Sequence, residues 1–215
     1  MIKLIAEEKC CRTTITFSEH NQEKENQYLA DFKVNSNIYK IIRIENDEEV
    51  YSLAVINNIF GGSISSRLFQ KIREENGLSY SVYSYLNSYI RQGSLVIYAG
   101  MNPLELEKVL TLINQEISKL KKDRLSKKEI QFAIEQIRSG IIMGLESMSQ
   151  RMTTYGKKLL MENKVEDIND ILCKISKINE ENIEASIDRV FDTSKLNVAV
   201  LGDVKTKDYK SFFNF

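Results

Sequence analysis

The first candidates for chemistry in this sequence are Arg73 and Tyr80. They lie in the segment GGSISSRLFQKIREENGLSYSVYSYL, on either side of Gly77. A helix that ends at Gly77, followed by a strand, would bring a guanidinium group and a phenol together. Both groups donate hydrogen bonds and suit a carbonyl oxygen that becomes negative during nucleophilic attack. Spacing alone favours a simpler arrangement, in which Arg73 pairs with Glu74 and Tyr80 is a half-buried strand aromatic.

The elements that must position this pair are a helix, a turn and a strand. The pattern of SISSRLFQKIREEN predicts a helix whose apolar side holds Ile64, Leu68, Phe69 and Ile72, with Arg73 at its edge. Gly77 can adopt the left-handed conformation that ends such a helix. SYSVYSYLNSYI then alternates as a strand does, and GSLVIYAG is expected to pair with it as an antiparallel hairpin.

The rest of the chain predicts an α+β fold with a mainly antiparallel sheet. Two further strands are expected, in Ile38–Glu45 and in KLNVAVLGDV. Helices are predicted from DEEVYSLAVINNIF, from a segment opened by Pro103, and from one opened by a capping box of Ser126 and Glu129. The same pattern predicts three more helices, over Met148–Asn163, Val165–Lys177 and Asn179–Phe191.

Composition excludes several classes of function. The 215 residues carry 30 basic and 30 acidic side chains, so no charged surface for nucleic acid or an anionic membrane is expected. The apolar runs are too short to span a bilayer and no secretory signal is apparent, which favours a cytoplasmic protein. The three cysteines, Cys10, Cys11 and Cys173, are expected to be reduced thiols.

The order of several motifs resembles a known family. GGSISSRLFQKIREENGLSYSVYS, GSLVIYAG, LSKKEI, LESMSQRMTTYG and VAVLGDV follow one another as in the C-terminal, non-zinc half of pitrilysin/insulinase-family zinc metallopeptidases, which include bacterial processing proteases and the mitochondrial processing peptidase. The resemblance implies a two-layer half of a clamshell, with helices on one side of the sheet. It implies that Arg73 and Tyr80 bind the substrate backbone and stabilise the oxyanion, in a site whose zinc is held by an HxxEH motif on another half.

Metal ligands are scarce in this sequence. The inverted zinc motif needs two histidines and a glutamate on one helix, and the chain has one histidine, His20. In TFSEH the first histidine of the motif is replaced by Thr16, so we interpret the match as chance. We therefore expect no metal and no other cofactor in this chain. Zinc is expected in the missing or partner half.

The resemblance divides the chain into residues 1–36, an N-terminal segment or linker between halves, and residues 37–215, the peptidase-like domain. The expected partners are a peptide or unfolded protein substrate and a zinc-bearing half or subunit, and a homo-oligomer is left open. The sequence predicts either a fragment of a longer protein with two halves or a separate subunit, and in both cases it is expected to be inactive alone. The alternatives are a non-catalytic assembly subunit of the same fold and an unrelated small-molecule enzyme, for which no nucleophile–histidine set or phosphate loop is found.

Other features are assigned structural roles. Gly61 and Gly62 are interpreted as a tight turn between helices. Tyr83, Tyr85 and Tyr89 are predicted to share the strand face opposite Tyr80, where they would either line a peptide chamber or pack beneath the helices. The methionines of LESMSQRM are expected to fill the core.

Overall fold

A computed structural model describes residues 11–18, 47–89, 92–163, 165, 167–192, 196–202 and 208–213. Within these ranges the chain forms strands β1 to β4, helices α1 to α6 and two π-helical segments. The strands are β1 (Cys11–Ser18), β2 (Ser79–Tyr89), β3 (Gln92–Met101) and β4 (Leu196–Leu201). The α-helices are α1 (Asp47–Asn57), α2 (Leu106–Asp123), α3 (Lys127–Gly144), α4 (Met148–Glu162), α5 (Ile168–Ser176) and α6 (Glu180–Val190). The π-helices are π1 (Asn58–Gly62) and π2 (Phe69–Glu74), and short 3₁₀ turns cover Pro103–Glu105 and Tyr209–Phe212.

The described strands form one antiparallel sheet in the order β2-β3-β1-β4. β2 and β3 are the predicted hairpin, and β1 lies between β3 and β4 with Ile15 opposite Ile97 and Val198. Because β1 belongs to this sheet, residues 11–18 do not fit the expected separate segment or linker over residues 1–36. The strand predicted over residues 38–45, His20 and Cys10 lie outside the described residues.

The core lies between one face of the sheet and the helices, which confirms the α+β class. Inner-face residues of β3, Leu95, Ile97 and Ala99, are at most 1% exposed and pack in one cluster with helical side chains. Phe60 and Phe191 meet edge to face within this core, with ring centroids 5.1 Å apart. Burying such large aromatics is a major source of stability for the layer of helices.

Helix starts follow the sequence closely. The Ser126 hydroxyl accepts a hydrogen bond from the N–H of Glu129, whose side chain bonds back to the Ser126 N–H, as the predicted capping box requires. Asn102 caps the turn that opens with Pro103. The helices predicted over residues 148–163, 165–177 and 179–191 are observed with slightly shorter bounds. Local capping chemistry therefore marks the start of α3 and the turn at Pro103.

The segment before Arg73 differs from the predicted continuous helix. Ser63–Ser66 form a turn, regular helix begins at Arg67, and the chain then widens into π2. Leu68 and Ile72 are fully buried as expected, whereas Ile64 is 75% exposed because it precedes the helix. The apolar side predicted for this helix therefore begins at Leu68.

Candidate functional site

Arg73 is held between two aromatic rings at the end of π2. Its guanidinium carbon lies 4.8 Å from the ring centroid of Phe69 and 4.8 Å from that of Tyr80. Cation–π attraction of this kind is strongest where water is partly excluded, and the Arg73 side chain is 37% exposed. Both rings therefore lie within cation–π distance of the guanidinium.

A backbone hydrogen bond completes this arrangement. Arg73 Nη1 donates to the carbonyl oxygen of Tyr80 at 3.0 Å. Arg73 Nε lies 3.7 Å from Glu74 Oε1, so the simpler surface ion pair is present but long. A guanidinium has five N–H donors, and only one of them is used by Tyr80. The arrangement leaves further donors of Arg73 for a ligand.

Gly77 connects the helix that carries Arg73 to the strand that carries Tyr80. Its φ is +61°, as predicted, and its N–H donates to the carbonyl of Arg73 at 3.0 Å. The N–H of Leu78 donates to the carbonyl of Ile72, also at 3.0 Å. These bonds satisfy the last carbonyls of the helix and turn the chain directly into β2.

Tyr80 lies at a β-bulge. Ser79 pairs with Met101 and Ser81 with Gly100, so Tyr80 is an extra residue without a partner in the ladder. Without the bulge, Tyr80 would face the core together with Val82 and Ser84. Instead it is 82% exposed, while Ser79 and Val82 are buried. Bulges often redirect a side chain next to a functional site.

The bulge also changes the expected grouping of the tyrosines. Tyr80, Tyr83 and Tyr85 are all exposed, so Tyr80 does not lie opposite the other two. Tyr83 stacks on Tyr98 with ring centroids 4.9 Å apart. These rings therefore cover the sheet face away from the helices and do not pack beneath them. The side chain of Tyr89 lies outside the described residues.

An open groove of about 320 Å³ adjoins Arg73 and Tyr80. It is lined by Gly61, Gly62, Ser63, Ile64, Phe69, Arg73, Tyr80, Ser81, Val82 and Tyr83. Ile64, which the sequence assigned to the core, is thus part of the groove wall. The wall combines apolar side chains with a few polar groups, which is typical of sites that bind an organic ligand.

Gly61 and Gly62 form part of this wall for a reason that the sequence did not reveal. They end π1, and a Cβ at Gly61 would lie 2.5 Å from Ser84 Oγ and 2.7 Å from the Ser84 nitrogen. Ser84 Oγ in turn donates to Asn57 Oδ1 at 2.8 Å. Gly61 is therefore a close contact between helix and sheet, while a Cβ at Gly62 would meet Asn57 at the end of α1, so the pair is not the predicted tight turn.

An ion pair links this segment to the start of α3. Arg67 Nη2 donates to Glu129 Oε1 at 2.7 Å, while Glu129 Oε2 accepts from Ser126. Burial raises the pKa of Glu129, but the hydrogen bonds from Arg67 and Ser126 outweigh it and hold that pKa below its ordinary value. The pair fixes the N-terminal end of α3 beside the helix that carries Arg73.

Within the described ranges, no group of three or more His, Cys, Asp or Glu side chains is placed to hold a metal ion. In the same part of the chain, none of the helices combines the length and apolarity needed to cross a bilayer.

Comparison with known proteins identifies the family. The model of the "Peptidase M16 inactive domain" matches residues 13–137, more than half of the chain. The chain belongs to the M16 peptidase family and corresponds to its inactive domain. This is the non-zinc half that the motif order indicated, and the match includes Arg73, Tyr80 and most of strand β1.

The relatives agree with this assignment. An "Uncharacterized zinc protease YmxG" of Bacillus subtilis is 37% identical over 144 residues, which are 67% of this chain and 35% of that protein. The chain thus spans about a third of the length of the curated relatives it matches.

Solved structures show the same fold. A crystal structure of the peptidase M16 inactive domain from Pseudomonas fluorescens has a TM-score of 0.69 at 16% identity, covering 90% of this chain and 41% of that one. A chain of Complex III2 from Candida albicans has a TM-score of 0.65 at 16% identity, covering 90% and 43%. At these identities the likeness concerns the fold alone.

Proposed function

We propose that this chain is the substrate-binding half of a zinc-dependent endopeptidase and acts together with a half that carries HxxEH. Its substrate is a peptide or an unfolded protein segment, bound along the groove beside Arg73. The observation that carries the proposal is the position of the Arg73 guanidinium, which is fixed between the rings of Phe69 and Tyr80 at the edge of that groove.

The chemistry follows from the donors that this position makes available. Zinc in the other half would supply an activated water that attacks the scissile carbonyl. Arg73 retains N–H donors beyond the one given to Tyr80, and the exposed phenol of Tyr80 is a further donor. Donors fixed before the reaction stabilise a developing oxyanion at little cost in reorganisation. Arg73 and Tyr80 would bind the substrate carbonyl and stabilise this charge.

The neighbouring backbone supports such a role. The two π-helical segments, π1 and π2, flank the groove, and the bulge at Tyr80 directs its side chain outward. π-Helical turns and bulges are unfavourable departures from regular structure that recur at functional sites. π1 contributes Gly61 and Gly62 to the groove wall, π2 carries Arg73, and the bulge exposes the phenol of Tyr80.

The test is reconstitution with a zinc-loaded, HxxEH-bearing half from the same genome. We expect no peptide cleavage by this chain alone and cleavage by the reconstituted pair. Tyr80→Phe removes one donor and should lower kcat about a hundredfold. Arg73→Lys keeps the charge but loses the planar fork, so it should not restore full activity.

The matched control is Tyr85→Phe, which removes the same hydroxyl from an exposed tyrosine outside the groove. It should leave kcat unchanged. All three variants should melt within about 2 °C of the parent, since the exposed polar groups contribute little to stability. Parental activity of both the Tyr80 and Arg73 variants would refute the catalytic role of these two residues, whereas no cleavage by the reconstituted pair would favour a non-catalytic assembly subunit of this fold.

A further inference from the structure

The C-terminal half of α3 and helix α4 expose an unusual amount of apolar surface. Between residues 148 and 160 of α4 no side chain is fully buried. Met148 is 76% exposed, Met152 71% and Leu160 86%. We call this region the α3–α4 surface, and its exposed apolar members are Ile142, Met143, Met148, Met152, Leu159 and Leu160.

Within α4 the exposed apolar side chains recur at helical spacing. Met148, Met152 and Leu159 are spaced by four and seven residues, so they lie on one side of α4. Single exposed apolar residues are normal, whereas a contiguous patch marks a binding surface. Methionine side chains are flexible and adapt to a partner, which suits them to such a surface. The structure therefore overturns the expectation that these methionines fill the core.

The helical glycines of this region give an independent indication of close approach. A Cβ added at Gly140, Gly144 or Gly156 would meet nothing within 4 Å in the described structure. Glycine disfavours helix relative to alanine, and no contact within the described residues requires the missing side chain. A second surface packed directly against the helix backbone would require it.

The length of the relatives points to what covers this surface. The chain corresponds to only 35% of the Bacillus subtilis zinc protease and of a Streptomyces coelicolor one. In those proteins the domain is linked to a much longer stretch of polypeptide. Two parts of one polypeptide meet at a high effective concentration. The apolar face between them therefore does not need to bind a second copy of the same domain.

We propose that the α3–α4 surface is where this half docks against the zinc-bearing half of the peptidase. The proposal rests on the proposed function, because it takes the zinc-bearing half as the partner. Exposed apolar side chains supply the buried area, and the three glycines let the partner approach the helix backbone.

The experiment measures the affinity of the chain for the zinc-loaded, HxxEH-bearing half by calorimetry. The double variant Met152→Glu/Leu160→Glu places two charges in the docking surface and should raise Kd at least tenfold. Its own Tm should change little, because both residues are exposed. The matched control is Leu104→Glu, because Leu104 is 90% exposed in the 3₁₀ turn before α2 and lies outside this surface. It should leave Kd unchanged.

Gly140→Ala separates docking from folding. Alanine favours the helix and meets no atom, so the variant chain should melt about 2 °C higher than the parent. The same methyl group should weaken binding several-fold by holding the partner away from the helix. Higher stability combined with weaker binding cannot arise from damage to the fold.

Each alternative outcome contradicts the proposal in a recognisable way. Parental Kd for the double variant, with activity still dependent on Tyr80, would overturn the docking surface and leave the proposed function intact. Loss of folding in the double variant would show that these residues are core. A parent chain that is a dimer in light scattering, and a double variant that is a monomer with unchanged Kd, would assign the surface to a second copy. A parent that neither binds the zinc-bearing half nor gains activity from it would refute both proposals.

Discussion

The groove beside Arg73 and the α3–α4 surface are both open to solvent, but they are supported in opposite ways. Behind the groove, Leu68 and Ile72 are fully buried and Gly61 lies against β2. In α4 no described side chain is fully buried, and a Cβ at Gly156 would meet open space. A site that orients a ligand needs a rigid wall, whereas a docking surface acquires its packing from the partner. The same substitution should therefore have opposite effects in the two regions.

The strongest contrast is expected from Gly61→Ala. The added methyl group would come within 2.5 to 2.9 Å of Ser84 atoms, one of them backbone, so helix and strand must separate. We expect the free energy of unfolding to fall by about 1–3 kcal/mol, the usual cost of overpacking. Urea denaturation measures this loss. Parental stability would show that the wall of the groove is not rigid.

Gly77 should be sensitive to side-chain shape rather than to space. Its φ is +61° and no atom lies within 4 Å of an added Cβ, so only backbone strain opposes a substitution. Gly77→Val should cost about 1–2 kcal/mol of unfolding free energy, because a branched residue is strained in the left-handed region. Gly77→Asn should cost clearly less, since asparagine tolerates this conformation. Equal melting curves for the two variants would refute the role of the left-handed turn.

Gly156→Ala in α4 is the counterpart of Gly61→Ala. A Cβ at this position meets nothing, so the substitution should add about 0.5–1 kcal/mol to the free energy of unfolding through helix propensity alone. Urea denaturation of the chain without a partner measures the gain. Destabilisation by this substitution would mean that α4 is already packed, and the contrast between the two regions would disappear.

The smallest effect concerns the ion pair that joins the two regions at the start of α3. The pKa of Glu129 is below its ordinary value of 4.5, so its carboxylate stabilises the folded chain above that pH. This contribution is lost as pH falls through the lowered pKa of the folded state. The Glu129→Gln variant should therefore be less stable than the parent at about pH 5, and the difference in stability should shrink as pH falls to about pH 3. A constant difference in Tm over this range would contradict the assignment.

Local sequence was sufficient for much of the fold. The capping box of Ser126 and Glu129, the turn at Gly77 and the alternation of β2 and β3 depend on residues close together in the chain. Hydrogen bonds of caps and turns form between such neighbours, so residue types report them directly. Residue spacing allowed Arg73 and Tyr80 to lie close together, but spacing alone favoured an ion pair of Arg73 with Glu74, and the shared site was implied by the family resemblance.

Strand β1 could not be predicted in this way. Its segment CRTTITFS is largely polar, and its partners, β3 and β4, lie far along the chain. A strand is stabilised by its neighbours in the sheet, and short sequences do not specify those neighbours. The sequence division at residue 36 therefore separated this strand from the sheet to which it belongs.

What the sequence by itself determined about this protein is the α-helices, strands β2, β3 and β4, and the left-handed turn at Gly77. Only the tertiary structure decided that Tyr80 points outward, that Gly61 packs on Ser84 and that the methionines of α4 are exposed. The physical reason is distance along the chain. Caps and turns are settled by residues a few positions apart, whereas the direction of a bulge, the closeness of a helix to a sheet and the burial of a helix face depend on elements that only the folded chain brings together.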